Sequence, residues 1–146
     1  MERSDALAPL SRDHHHGLMV ARRLRRATTD TSARARANFL AFWDEEGRRH
    51  FRVEEEILLP AFARHAPAGH EAVVRVLVDH VELRRRAGDL RAGTSPLLES
   101  LHELGEQLSA HIRHEERVLF PLIEAALPAA ELDELVTAIA EAERSV

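Results

Sequence analysis

The chain has 146 residues, 45% hydrophobic and 31% charged, a balance that suits one folded domain with its own core and excludes disorder. It holds no cysteine, so disulfide frameworks, thiolate zinc sites, iron–sulfur clusters and cysteine nucleophiles are excluded. A net charge of −5, only 4% aromatic residues and no tyrosine argue against nucleic-acid binding, and no apolar run is long enough to span a bilayer.

In chain order the sequence predicts helices from end to end, because apolar residues recur at three- and four-residue steps and strand-like alternation is absent. The first helix covers about 4–28 and stops at Thr28-Thr29-Asp30-Thr31-Ser32. The second covers about 32–65 and ends at the turn Ala66-Pro67-Ala68-Gly69. The third covers about 70–91, after which Gly93-Thr94-Ser95-Pro96 supplies a loop, an N-cap and a proline at the first helical position. The fourth extends to about Leu127, and Pro128 opens a short C-terminal helix through the acidic segment Glu131–Glu143, expected to cover one end. Long helices with short connections predict an all-α, up-down-up-down four-helix bundle, one domain over residues 1–146. The opening Met1-Glu2-Arg3-Ser4-Asp5 has no apolar signal segment, which fits a cytoplasmic location.

An internal repeat carries the chemistry. His50-Phe51-Arg52-Val53-Glu54-Glu55-Glu56-Ile57-Leu58-Leu59-Pro60 aligns without a gap on His111-Ile112-Arg113-His114-Glu115-Glu116-Arg117-Val118-Leu119-Phe120-Pro121. Asp13-His14, with Leu18 downstream, is echoed by Asp79-His80 with Leu83. Two similar helix pairs packed about a pseudo-twofold axis would bring four histidines and two glutamates to one centre.

Periodicity points these side chains inward. In the fourth helix Leu97, Leu101, Leu104, Leu108, His111, Glu115, Val118 and Leu122 form a core-facing seam. The second repeats this with Trp43, His50, Glu54, Ile57 and Ala61, the third with Val73, Leu77, His80 and Ala87, the first with Leu7, Leu10, His14, Ala21 and Leu24. Buried carboxylates without partners cost several kcal/mol, and a metal cation removes that cost. Histidine and glutamate at i, i+4 can reach one ion, and imidazole with carboxylate suits iron, manganese or zinc. Six ligands exceed one tetrahedral zinc. They split into His14 with His50 for one ion and His80 with His111 for another, Glu54 and Glu115 bridging, with charge left for an oxide or hydroxide bridge.

The two His-x-x-x-Glu-Glu-x-x-Leu-x-Pro segments, with Asp13-His14 and Asp79-His80, resemble the hemerythrin-like (HHE cation-binding) family over about residues 10–125. The resemblance implies a bundle holding two iron ions, a non-haem di-iron centre with an oxo-type bridge, on His14, His50, Glu54, His80, His111 and Glu115. Two departures stand out. The oxygen carriers of that family have a fifth histidine one turn from its partner on the third helix, where this chain has Val76 and Arg84, so a position beside His80 is expected to be open. The carriers also place the fourth-helix carboxylate five residues after its histidine, which makes Glu116 the alternative to Glu115.

His14 is preferred over its neighbours His15 and His16 by its match to Asp79-His80, and those two are expected to face solvent or support a ligand. His65, His70, His102 and His114 rotate off the seam and are expected at the surface, as are the arginine clusters Arg22–Arg26 and Arg84–Arg86. Rival templates fail on spacing. Glu99 and His102 give a single Glu-x-x-His where a ferritin-type bundle needs two, and His-Glu-x-x-His is absent. The expected function is a di-iron protein that binds, senses or reacts with a small oxidant: dioxygen, peroxide or nitric oxide. The alternative is an iron-responsive signalling or iron-handling module ordered by metal, without catalysis.

Overall fold

The chain starts on a tight turn in which the Ser4 carbonyl accepts from the amides of Leu7 and Ala8, at 3.1 and 3.0 Å. The computed structural model describes residues 2–93 and 97–144, so the Thr94-Ser95-Pro96 start signal lies outside the described residues. Helix α1 is Ala8–Arg25, beginning four residues later than expected, with Pro9 in its first turn where no amide is missed. Helix α2 occupies residues 32–62, ending before residue 65 because Ala63 to Ala66 turn off the rod. Helix α3 is Glu71–Ala92, its start capped by the His70 side chain accepting from Ala72 N at 3.1 Å. Gly93 closes α3 at φ 69°, a left-handed conformation that a side chain would strain. Helix α4 occupies residues 97–126, and α5 is Ala129–Arg144. No strand occurs among the described residues.

Three π turns interrupt these rods, and two fall on the repeat. In α2, Trp43–Gly47 is one and Glu54–Leu58 another; in α4 it is Glu115–Leu119. Leu59 N bonds back to Glu54 O and Phe120 N to Glu115 O, five residues instead of four. Pro60 and Pro121 sit just beyond, where a proline ring would strike the carbonyl four residues before it in an α-helix; a wider turn relieves the clash. The next carbonyl in that wider register, Glu116 O, loses its helical donor to Pro121 and accepts instead from Arg3 Nη2 at 3.0 Å.

Each π turn adds a residue and therefore slips the apolar seam by one. Ile57 and Ala61 were expected inside; Leu58, Leu59 and Phe62 are buried instead. Val118 is exposed and Leu122 half-buried, while Leu119 and Ile123 are fully buried. On α3, which has no π turn, Leu77 is exposed and Val76 takes the inner position.

Two apolar clusters enclose the middle of the bundle. One gathers Leu10, Leu58, Val76, Leu119, Phe120 and Ile123, together with Leu135 and Ile139 of α5. The other gathers Val20, Leu24, Phe39, Trp43, Leu83 and Leu104. Helices α1 and α4 are in backbone contact at Gly105, where an added Cβ would lie 2.8 Å from Ala21 O and 2.9 Å from Arg25 N. No helix is long and apolar enough to cross a membrane among the described residues.

Candidate metal centre

Between the two apolar clusters lies a polar layer, and all six predicted residues meet in it. His14 comes from α1, His50 and Glu54 from α2, His80 from α3, and His111 and Glu115 from α4; every one is buried. They form two overlapping groups, His14–His50–Glu54–Glu115 and Glu54–His80–His111–Glu115, whose ligand atoms all lie within 4.8 Å of one another in each group. The two glutamates belong to both.

The chemistry of this layer lies in the atoms left without partners. His50 Nε2, His80 Nε2, His111 Nε2, both Glu54 oxygens and Glu115 Oε2 are buried and make no hydrogen bond. Rings and carboxylates are close, with His50 Nε2 3.2 Å from Glu54 Oε2 and His111 Nε2 3.3 Å from Glu115 Oε2, yet these approaches lack hydrogen-bond geometry. Only His14 Nε2 is satisfied, by Glu115 Oε1 at 2.8 Å. Ring nitrogens and carboxylate oxygens that converge on shared points and miss one another describe a donor set for a cation that displaces the ring protons.

The opposite nitrogen of each ring is anchored. His50 Nδ1 donates to Asp13 Oδ2 and His111 Nδ1 to Asp79 Oδ2, both at 3.0 Å. His80 Nδ1 donates to Glu55 Oε2 at 2.6 Å and His14 Nδ1 to Glu116 Oε2 at 2.5 Å. A carboxylate on Nδ1 leaves the Nε2 lone pair facing the centre and makes it a better ligand. Both glutamates of each repeat thus have a place: the first of each pair points into the layer, while the second holds the histidine of a neighbouring helix. Asp13, Asp79 and Glu55 were not assigned these places from the sequence, although the repeat displays them. Glu116, the alternative to Glu115, turns away to His14 Nδ1 and Ser11 Oγ.

Burial opposes a charged ring at each histidine, and the surrounding carboxylates overcome it. Glu115, Glu54 and Glu55 hold His80 up at about 10, and Glu115 with Asp79 holds His111 at about 9. His14 and His50 are raised as well, His50 well above its ordinary value by Glu54 and Asp13. Burial pushes the Glu115 carboxyl up, but His111 and its other partners hold it well below the ordinary range. The layer draws positive charge to its middle.

The surroundings depart from expectation in two respects, the open position looked for beside His80 and the solvated Arg84. The positions one turn either side of His80 supply no ligand: Val76 is buried in apolar contacts and Arg84 pairs with Glu55 at 2.8 Å. The face of His80 is covered by the ring of Phe51, stacked at 3.8 Å, and Arg84 lies over that same ring. Arg84 is therefore no simple solvated charge. Free space lies instead beside His14, His50 and His111, in an apolar cavity walled by Phe39, Phe42, Trp43, Phe51, Leu108 and Ile112. It leaves about 20 Å³ for the centre of a water-sized sphere, room for one very small molecule.

The other histidines divide. His15 and His16 are exposed, His16 on Glu46 at 2.5 Å, and His65 is exposed on Glu131. His70 is half-buried as the α3 cap, and half-buried His102 donates to Ala27 O at 2.8 Å. His114 was expected at the surface and is buried, reaching Ala72 O at 3.3 Å, because α3 packs over it. Helix α5 does more than cover an end: Glu143 bonds Arg49 at 3.1 Å and lies beside Asp13, where burial and that neighbouring carboxylate raise it to about 7.

A helical bundle with a buried histidine–glutamate layer whose donors fit a cation is, in class, a metal-binding protein. Residues 5–123 match the hemerythrin HHE cation binding domain, and residues 78–144 match it a second time. The chain belongs to that family. No curated protein and no solved structure matches it.

Proposed function

We propose that the chain binds two iron ions, His14 and His50 holding one and His80 and His111 the other, with Glu54 and Glu115 shared. The pair binds, senses or reacts with a small oxidant: dioxygen, peroxide or nitric oxide. The observation that carries this is the set of unpartnered atoms, three imidazole nitrogens and three carboxylate oxygens, buried around one centre. Two shared carboxylates suit two cations better than one, since each oxygen can serve a different ion.

Bound iron would supply the electrons that an oxidant accepts. The protein's own part is positioning: Asp13, Asp79, Glu55 and Glu116 fix the four rings through Nδ1. The cavity beside His14, His50 and His111 supports entry of a molecule of two or three atoms, and its aromatic walls favour an apolar one.

Elemental analysis of the purified chain tests the reading directly. About two irons per chain are expected, with one lost in His80→Ala and both in Glu115→Ala. Zero or one ion in the unaltered protein would overturn the dinuclear centre. An iron-loaded sample whose visible spectrum ignores dioxygen, peroxide and nitric oxide would overturn the oxidant.

A second reading, an iron-responsive or iron-handling module without catalysis, is favoured by one feature. The donors come from four helices, so closing the bundle and binding an ion are one event. Apo protein that melts as high as the loaded form removes that reading.

A further inference from the structure

Helix α3 is apolar on two faces. Its inner stripe, which includes Val73, Val76, His80 and Leu83, serves the bundle. On the outer side Val74, Leu77, Val78 and Val81 are exposed by 45%, 40%, 50% and 67%, the largest group of exposed hydrophobics among the described residues. At roughly 100° per residue Val74 and Val81 project almost together, with Leu77 and Val78 on either side of them. This i, i+3, i+4, i+7 spacing is that of a helix–helix seam. Valine is also a weaker helix former than the alanine, glutamate and arginine that this chain uses freely, so nothing local favours three valines in water.

The flanking charges say what covers the seam. Glu71, Arg75, Glu82 and Arg85 are all exposed and rotate to the same edge of it. Their order is acid, base, acid, base. A second α3 laid antiparallel about a twofold axis near Val78 keeps that edge on the same side. It sets Glu71 against Arg85 of the other copy and Arg75 against Glu82, while Val74 meets Val81. A parallel twofold pair would carry that edge to opposite sides of the seam and pair none of these charges. The self-complementary pattern is that of an isologous contact.

We propose that two copies of this chain associate through the outer face of α3, antiparallel, with Val74, Leu77, Val78 and Val81 as the seam and the Glu71–Arg85 and Arg75–Glu82 pairs as its rim. Two contacts within one copy, Arg85–Asp89 at 3.0 Å and the hydrogen bond from Gln107 Nε2 to Glu82 Oε2 at 2.8 Å, are exchanged for the pairs across the axis. The metal layer lies on the opposite side of α3, so the association leaves it unchanged.

Sedimentation of the metal-loaded chain, from low micromolar to near-millimolar concentration, tests this. The expected result is passage from one chain mass to two as concentration rises. Val78→Glu with Val81→Glu is expected to weaken association by at least about 100-fold, because like charges would be buried at the axis. Arg75→Glu alone is expected to weaken it, and Arg75→Glu combined with Glu82→Arg to restore it. Helical content and metal per chain, unchanged in each variant, show that the fold is intact. A monomer at every concentration overturns the proposal. So does a dimer indifferent to Val78→Glu and Val81→Glu, or a charge exchange that restores nothing.

Discussion

At the scale of single residues the centre is built from four ring–carboxylate pairs, and these make the aspartates as informative as the histidines. Asp13 and Asp79 touch no proposed ion, yet each fixes the ring that would. Asp79→Asn keeps the size and can turn an NH2 to His111 Nδ1, inviting the wrong tautomer. Metal affinity by chelator competition is expected to fall about 10–100-fold, with helical content unchanged. Protons and metal compete for the same nitrogens. His111 and His80 are held at about 9 and about 10 in the folded chain, above the ordinary 6.5. Their contribution to the apo protein is therefore fully present below 6.5 and is lost as pH rises through 9 and 10. Glu115, lowered, works the other way: its contribution is present above the ordinary 4.5 and lost as pH falls through its own lower value. Denaturant titrations of the apo chain are expected to show stability declining from about pH 6.5 and levelling off above about 10. The loaded protein is expected to lack that alkaline decline, since the bound ring is already neutral.

At the scale of the element, the helices were legible and the π turns were not. Periods of three and four residues recover where helices lie, because burial of one face dominates. They fail beyond Glu54 and Glu115, since the wider turn changes the period in mid-rod and moves Leu58 and Leu119 into the places expected for Ile57 and Val118. The signal for the wider turn is the proline six residues after each glutamate, Pro60 and Pro121. Its physical content can be tested in α4. Deleting the exposed Arg117 lets the turn close to an α-helix while Leu119 and Ile123 stay on the inner face. Pro121 would then strike the carbonyl of Glu116. The deletion alone is expected to destabilise the chain, and adding Pro121→Ala to recover about 3 kcal/mol by chemical denaturation. Equal stability of the two variants would mean that the proline has no part in the π turn.

At the scale of the whole molecule, the duplicated halves explain why so much of the centre could be read from sequence. Each half supplies one Asp-His and one His-x-x-x-Glu-Glu, and the ligand atoms of the six inward groups converge at one level. The reach of α5 to Asp13 could not be read, for Glu143 has no counterpart in the repeat and its position depends on how Leu135 and Ile139 dock. The layer also sets what holds the bundle together. An apolar core would stabilise this middle without help; here two carboxylates and four rings are buried with six atoms unpartnered. A cation that binds only the folded chain adds RT ln(1 + [M]/Kd), about 2.7 kcal/mol at a hundredfold excess over Kd. For a chain of this size that is roughly 5–10 °C in melting temperature for each ion. Stripping the metal with a chelator is expected to lower the melting point by at least one such step, and restoring iron to raise it in proportion to the ions bound. His80→Ala, retaining one proposed ion, is expected to show about half the rise; a full rise in that variant would contradict the division of ligands between two ions.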